Sequence, residues 1–477
     1  MSRKIKREKA SEYRTSNALL RSVRWVTDVY LIFLICIYPF VIKPGYASTS
    51  YVKYKFLTAI SFYFDLGFIA VPTFVPIVTV LVFFGTIKHL QETGKSISDF
   101  IKEMKLSIPD IAVLIYLLSL VLSTIVSSNK KELLWGYPTW NMGLASQMLF
   151  ICLYFIVSRF FDLYELELMT YAALISSAGV FIIELLQKLG FDPFGLYKGS
   201  PMVGWMASTM GNINWFSSYN TFFICIGAFI VWNFKKSDRI YKAGLLHLII
   251  SSASLITQNS DSALAGLFAM MPMLLIFSCD SMEKIRAFLE VLLILLLTFR
   301  AVGVIRFLRG DKASGMADPF LIMTQGVAVL ILICLNIVAY IYLLRRKKNG
   351  KYDDIILKSI PKAYAVILVL ILVVYFTYLM LNTKGFLPEK YSRTNRYFYL
   401  DPHWASNRGA LWHDTLISLI MELKSEPLKF IFGAGSDQYY SVIDKYESSQ
   451  IKEAIKSVAT NAHNEWLTAF VNYGIIG

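Results

Sequence analysis

The chain has 477 residues, of which 56% are hydrophobic, 15% aromatic and only 17% charged. Soluble domains carry about a quarter of their residues charged, so this apolar excess has to face lipid. The net charge of +14 does not point to nucleic acid, because the basic residues fall in short runs between apolar stretches and form no contiguous basic face.

Residues 1–25 include Arg3-Lys4-Ile5-Lys6-Arg7 and are too basic for a cleavable signal peptide; they read as a cytoplasmic segment. Apolar spans follow at about 26–42, 56–87, 108–127, 142–158, 168–187, 214–233, 244–258, 262–279, 288–305, 319–343 and 363–382. A twelfth begins near Asn464 and is cut off at Gly477. Lipid offers backbone groups no partners, so helices are the spanning structure to expect. The predicted fold is all-α: a polytopic membrane protein of about twelve transmembrane helices, the last truncated, with eleven of them between residues 26 and 382. The second span is overlong and carries Pro72 and Pro76, which predicts a kink or steep tilt. Cys36, Cys152, Cys225, Cys279 and Cys334 all fall in or beside apolar spans and read as small buried hydrophobes, with neither disulfide nor metal spacing.

Alternate loops test the topology. With the N-terminus inside, the inner segments hold 26 Lys and Arg residues and the short outer loops 10. The bias puts the long polar segment 383–463 outside, as a helical extracytoplasmic subdomain, with 464–477 opening the next transmembrane helix. In it, Trp412, Leu416, Leu419, Ile420 and Leu423 fall at the spacing of one helical face. Pro427 ends that helix, Gly433-Ala434-Gly435 makes a turn, and 447–458 is a candidate second helix. A loop of this length between spans is usually functional.

His463 re-enters the apolar phase where this loop ends. Thr460-Asn461 is a plausible N-cap pair, which sets His463 in or beside the first turn of the last helix. The positive end of a helix dipole favours a neutral, proton-accepting imidazole, and the free N–H groups there can hold an anion. Gly474 and Gly477 would let another helix approach closely. Arg408 precedes the amphipathic helix of the same loop, and its planar fork can bind two oxygens of an anion at once. An ordinary ion pair with Asp414 is its plain alternative. Asp65 and Glu184 lie in or near spans and are left unassigned.

The string His463-Asn464, then Gly474-Ile475-Ile476-Gly477, resembles the signature of the O-antigen ligase/polymerase family. These are bacterial membrane glycosyltransferases that use polyprenyl-diphosphate-linked glycans. Further landmarks occur in the family's order. Ser406-Asn407-Arg408-Gly409-Ala410-Leu411-Trp412 is similar to its loop motif, in which an arginine lies four residues before a tryptophan. Glu426-Pro427 with Phe432-Gly433-Ala434-Gly435 resembles its Pro-x-x-Gly-x-Gly stretch, lengthened by two residues. Gly211-Asn212-Ile213-Asn214 resembles its Gly-Asn-Pro-Asn element, and Lys55 matches a lysine at the outer start of the second span.

The chain departs from the family at two phosphate-binding arginines. Ser260-Asp261-Ser262-Ala263 stands where Ser-Arg-Gly-Ala is common, and Trp140 or Asn141 stands where an arginine precedes Gly143. Arg393 and Arg396, or Arg300, Arg306 and Arg309, are the candidate replacements. The resemblance implies transfer of a glycan from a polyprenyl diphosphate carrier to a sugar hydroxyl at the outer leaflet of the bacterial inner membrane, without metal or nucleotide cofactor. His463 and Arg408 would be catalytic, with His463 acting as base or as diphosphate partner. Lys55, Arg393, Arg396, Asn212, Asn214 and Asn464 would bind substrate. His463 is then expected on the rim of the largest outer-leaflet cavity. The implied partners are the lipid-linked donor, a glycan or lipid-core acceptor and the bilayer, with any polysaccharide-export partner unknown. A polysaccharide transporter or flippase, and a protein O-oligosaccharyltransferase, are the alternatives.

Overall fold

The computed structural model describes residues 18–43, 49–67, 69–96, 98–99, 106–138, 140–197, 207–309, 318–348, 354–389, 398–446, 451 and 459–477. The predicted loop sites Arg393 and Arg396 lie outside these residues, as does nearly all of the predicted helix 447–458.

In chain order the helices are α1 (Ala18–Cys36), α2 (Thr49–Ser61), α3 (Phe74–Thr93), α4 (Ile108–Val126), α5 (Leu144–Phe160) and α6 (Leu166–Lys188). They continue as α7 (Ile213–Asn233), α8 (Arg239–Thr257), α9 (Asp261–Ser278), α10 (Met282–Leu308), α11 (Asp318–Gln325), α12 (Val327–Lys348) and α13 (Asp354–Thr383). The last are α14 (Trp404–Ser425), α15 (Pro427–Phe432), α16 (Tyr439–Lys445) and α17 (Glu465–Tyr473). Ten helices among the described residues are long and apolar enough to cross a membrane, and the 17-residue α5 is a shorter apolar helix. The chain is a polytopic, all-helical membrane protein. The helix expected to open near Asn464 is the nine-residue α17.

Two spans differ from expectation. The run 56–87 is not one kinked helix. α2 stops at Ser61, an antiparallel pair β1 (Tyr63–Asp65) and β2 (Ala70–Pro72) turns the chain, and α3 starts at Phe74. Asp65 makes the turn, its carboxylate accepting the Gly67 N–H at 2.7 Å. Pro72 thus lies in a strand, where it removes no helical hydrogen bond. The run 319–343 is likewise broken at Gly326, between α11 and α12. The cysteines are also less buried than expected: four are half-buried and Cys334 is exposed.

The chain divides into two compact units. The first comprises Met1–Thr27, Thr58–Phe161 and Val369–Gly477; the second comprises Asp28–Leu57 and Asp162–Leu368.

In the second unit α7, α8, α9 and α10 pack around Ile224, Leu248, Leu255, Leu264, Val291 and Phe299, and α6 joins α7 through Val180, Phe181 and Phe216. Small residues bring α7 and α8 together: a Cβ on Gly227 would lie 2.8 Å from His247 Nδ1. Between α6, α7 and α8 runs a buried polar seam. His247 Nε2 meets Ser177 Oγ at 2.8 Å, and Ser217 Oγ donates to Gln258 at 3.0 Å. Glu184 is wholly buried and accepts from Ser254 Oγ at 2.9 Å and Thr257 Oγ1 at 3.1 Å.

In the first unit Asp110 anchors α4 to α5. It caps α4 through a reciprocal box with Ser107, accepts from Tyr154 at 3.0 Å and pairs with Arg159 at 2.8 Å. A separate core of Ala410, Leu411, Leu419, Tyr439, Val442, Ile443, Ala462 and Val471 joins α14, α16 and α17.

Candidate functional site

His463 ends a short strap, residues 459–464, that enters α17. The N-cap is Asn464, not Thr460 or Asn461: its Oδ1 accepts the N–H groups of Trp466 at 3.0 Å and Leu467 at 3.4 Å. The expected cap position lies too early because Asn461 turns the chain first. Its Oδ1 accepts the His463 N–H at 2.8 Å, and His463 adopts the left-handed φ of 48°. The imidazole therefore stands one residue outside the helix, beside its positive end.

Two indoles fasten this strap. Trp412 on α14 donates its Nε1–H to the Ala462 carbonyl at 3.1 Å. Trp140, from the loop between α4 and α5, donates to Thr460 Oγ1 at 2.6 Å. The Trp140 loop is itself anchored by Asp437, whose Oδ2 accepts the N–H groups of Tyr137 at 2.8 Å and Met142 at 3.1 Å. Burial pushes the Asp437 carboxyl up to about 6 against these two bonds, with the nearby Glu132 charge adding to the rise. Sequence reading missed Asp437 because nothing local marks a carboxylate whose partners lie 295 and 300 residues away.

Arg408 follows three consecutive left-handed residues, Ala405, Ser406 and Asn407 with φ of 49°, 62° and 68°. L-residues resist this region, so a run of three is an imposed conformation. The Asp401 carbonyl crosses so close to Gly409 that any Cβ there would collide with it, and the Ala410 N–H bonds Pro402 O at 3.0 Å. That crossing accounts for the glycine after Arg408. The guanidinium spends one donor on Ala405 O at 2.7 Å. The ion pair with Asp414 does not form: that buried carboxylate takes the Ile451 N–H at 3.0 Å and His413 Nδ1 at 2.9 Å.

His463 and Arg408 share one neighbourhood. His463 is solvent-exposed, yet partial loss of hydration, and then the Arg408 charge, lower its pKa below the ordinary imidazole value. Near neutral pH its ring is therefore uncharged and can accept a proton. A Cβ on Gly474 would strike the Ile431 carbonyl in α15, and one on Gly477 would lie 3.0 Å from Ser119 Oγ on α4.

The remaining candidates belong to the second unit. Lys55 is exposed, its Nζ 4.7 Å from the Tyr51 ring centroid. Lys53, which sequence reading passed over, is buried and donates to the carbonyls of Tyr38 at 3.0 Å and Pro39 at 2.7 Å. Asn212 is the N-cap of α7, its side chain accepting the N–H groups of Asn214 and Trp215, while Asn214 is exposed. A groove of about 660 Å³ is lined by Ser218, Thr221, Phe222, Cys225, Ile226, Phe229 and Ser262. It runs between α7 and α9 and includes neither His463 nor Arg408. Among the described residues no three His, Cys, Asp or Glu side chains gather into a group that could hold a metal ion.

Residues 319–477 match the family model described as O-antigen ligase. No curated protein and no solved structure matches the chain. The match covers α11 to α17, and with them both His463 and Arg408. The C-terminal third of this multi-pass membrane protein is thus similar to O-antigen ligases.

Proposed function

We propose that the chain is a glycosyltransferase that moves a glycan from a polyprenyl diphosphate carrier to a sugar hydroxyl, at the outer leaflet of a bacterial inner membrane. The N-terminus would be cytoplasmic and 383–463 extracytoplasmic, which the Lys and Arg bias supports. The observation that carries the reading is the pairing of an uncharged His463 with Arg408 inside the region similar to O-antigen ligases.

In this reading His463 takes the proton of the acceptor hydroxyl as that oxygen attacks the anomeric carbon. The bond from the anomeric carbon to the diphosphate oxygen breaks, and polyprenyl diphosphate leaves with the electron pair. Arg408 stabilises the charge that builds on that oxygen. Lys55, Asn212, Asn214 and Asn464 are secondary candidates for sugar and phosphate contacts, and Asn464 and Asn212 would contribute through the helix ends they cap. The acceptor is a second lipid-linked glycan or a lipid core.

Replacing His463 with alanine tests this. Polyprenyl diphosphate release from native membranes, loaded with the cell's own lipid-linked glycans, should drop by about a hundredfold or more while the protein stays inserted. His413→Ala, in the same segment, should change release little. Near wild-type release by His463→Ala would end the catalytic assignment.

A further inference from the structure

The apolar stripe along α14 is split in the structure. Leu419 is buried and Trp412 half-buried, but Leu416, Ile420 and Leu423 are 51%, 52% and 49% exposed. The face turned into the protein carries Asp414, Thr415, Ser418 and Glu422, all buried beside Leu411 and Leu419. Ile417 and Met421 widen the outward stripe, and Leu428 on α15, 60% exposed, continues it. So large a contiguous apolar surface is not a face made for water.

The surroundings identify what covers it. α15 and α17 both pack along α4, a candidate membrane span. Tyr473 stacks edge-on against Tyr116 at 5.3 Å, and Ile475 N–H bonds the Phe430 carbonyl at 3.3 Å. Gly477 lies against Ser119, seven residues and so about 10 Å from the Val126 end of α4. The segment that follows α14 is thus seated beside a membrane helix, below its end. Apolar side chains of α4 itself, among them Leu118 and Val121, are exposed in the same unit. The outward stripe of α14 and α15 continues that lipid-facing surface. The exposed Lys424 on the stripe has a stem long enough to carry its ammonium out to the headgroups.

We propose that α14 and α15 lie in the membrane interface, with Leu416, Ile420, Leu423 and Leu428 among the acyl chains of one leaflet. This holds whether or not the chain transfers glycans. If it does, the N-terminal end of α14 holds Arg408 at headgroup depth, where a lipid-linked diphosphate has its charge.

The test reads depth directly. Nitroxide labels are placed on Leu416→Cys, Ile420→Cys and, as control, Asp444→Cys, in a full-length chain whose five native cysteines are serine. The protein is reconstituted in phosphatidylethanolamine–phosphatidylglycerol vesicles. Labels at 416 and 420 should collide more with oxygen than with a water-soluble nickel chelate, and the label at 444 the reverse. Nickel access at 420 equal to that at 444 would overturn the proposal, as would dipolar broadening from a second copy. A second measurement keeps the native cysteines and carries p-benzoylphenylalanine in place of Ile420. Irradiation should give a phospholipid adduct; a cross-linked protein pair, or no lipid adduct, would overturn the proposal. His463→Ala leaves both readouts unchanged, so failure here is separable from failure of the catalytic reading.

Discussion

Replacing Gly474 with alanine is the sharpest probe of how the strap and its histidine are held. Gly474 has a φ of 73°, and its added Cβ would meet the Ile431 carbonyl and, at 2.6 Å, the Gly433 nitrogen. Both are backbone atoms, so no side chain can swing aside. With ψ at −169° this backbone lies in a region essentially reserved for glycine, which costs an L-residue about 1–3 kcal/mol. Overpacking against fixed backbone adds about 1–3 kcal/mol. The sum is about 2–6 kcal/mol, relieved in part by moving α17 away from α15. Such a movement carries the His463 strap with it, and a displacement of about 1 Å can cost about a hundredfold in rate. Gly433 stands on the other side of the same contact, where a Cβ would strike Asn472 O and Tyr473 Cα. Once one alanine has parted the segments the second should cost less, so the double variant should be less destabilised than the sum. Gly94 is the milder comparison: at φ 65° and ψ 13° with nothing within 4 Å, alanine there should show only the left-handed cost of about 1 kcal/mol. The assays are the thermal midpoint in detergent and polyprenyl diphosphate release. An unchanged midpoint for Gly474→Ala, or strict additivity with Gly433→Ala, would refute the reasoning.

Trp140→Phe keeps the ring and loses the donor to Thr460, so release should fall about tenfold, the worth of one well-made hydrogen bond. Thr460→Val should match it, Thr460→Ser should restore activity, and the double variant should be no worse than either single one; additive losses would count against the bond. Asp437 has a folded pKa raised to about 6. Its folded state therefore holds a proton that the unfolded chain has already released, and the stability this contributes is lost as pH rises from about 4 through 6. Asp437→Asn still offers an acceptor to Tyr137 and Met142 and should abolish that pH dependence, whereas Asp437→Leu should lower stability at every pH. For topology, Asp444→Cys should react with an impermeant thiol reagent in intact cells and Ser237→Cys should not; the opposite pattern would invert the proposed orientation.

The transmembrane helices were legible because lipid burial depends on summed hydrophobicity, and a sum can be read from sequence. Direction of the chain within an apolar run cannot, and so 56–87 concealed a hairpin at Tyr63–Pro72. The amphipathic period of α14 was legible, but not which of its apolar residues turn inward: Leu419 is buried while Leu416, Ile420 and Leu423 are exposed. Choosing which face turns inward requires the partners of Asp414, Thr415 and Glu422, of which Ile451 and Tyr439 lie 37 and 24 residues along the chain. At the site, His463 and Arg408 were visible as residue types in a pattern. The fastening by Trp140 and Asp437 was not, since it joins segments hundreds of residues apart.

The polar seam between α6, α7 and α8 bears on how the protein is made. A helix carrying Glu184 would by itself present a carboxylate to lipid, at a cost on the order of 3 kcal/mol at the bilayer centre. Its hydroxyl partners, Ser254 and Thr257, emerge from the ribosome about two helices later. Until α8 arrives, α6 has nothing in lipid to satisfy that side chain. Pairing with α8 removes that cost, which favours insertion of the three helices as a group. A stop codon or misfolding mutation within α8 would leave an orphaned carboxylate in the membrane, a recognisable mark for quality-control proteases.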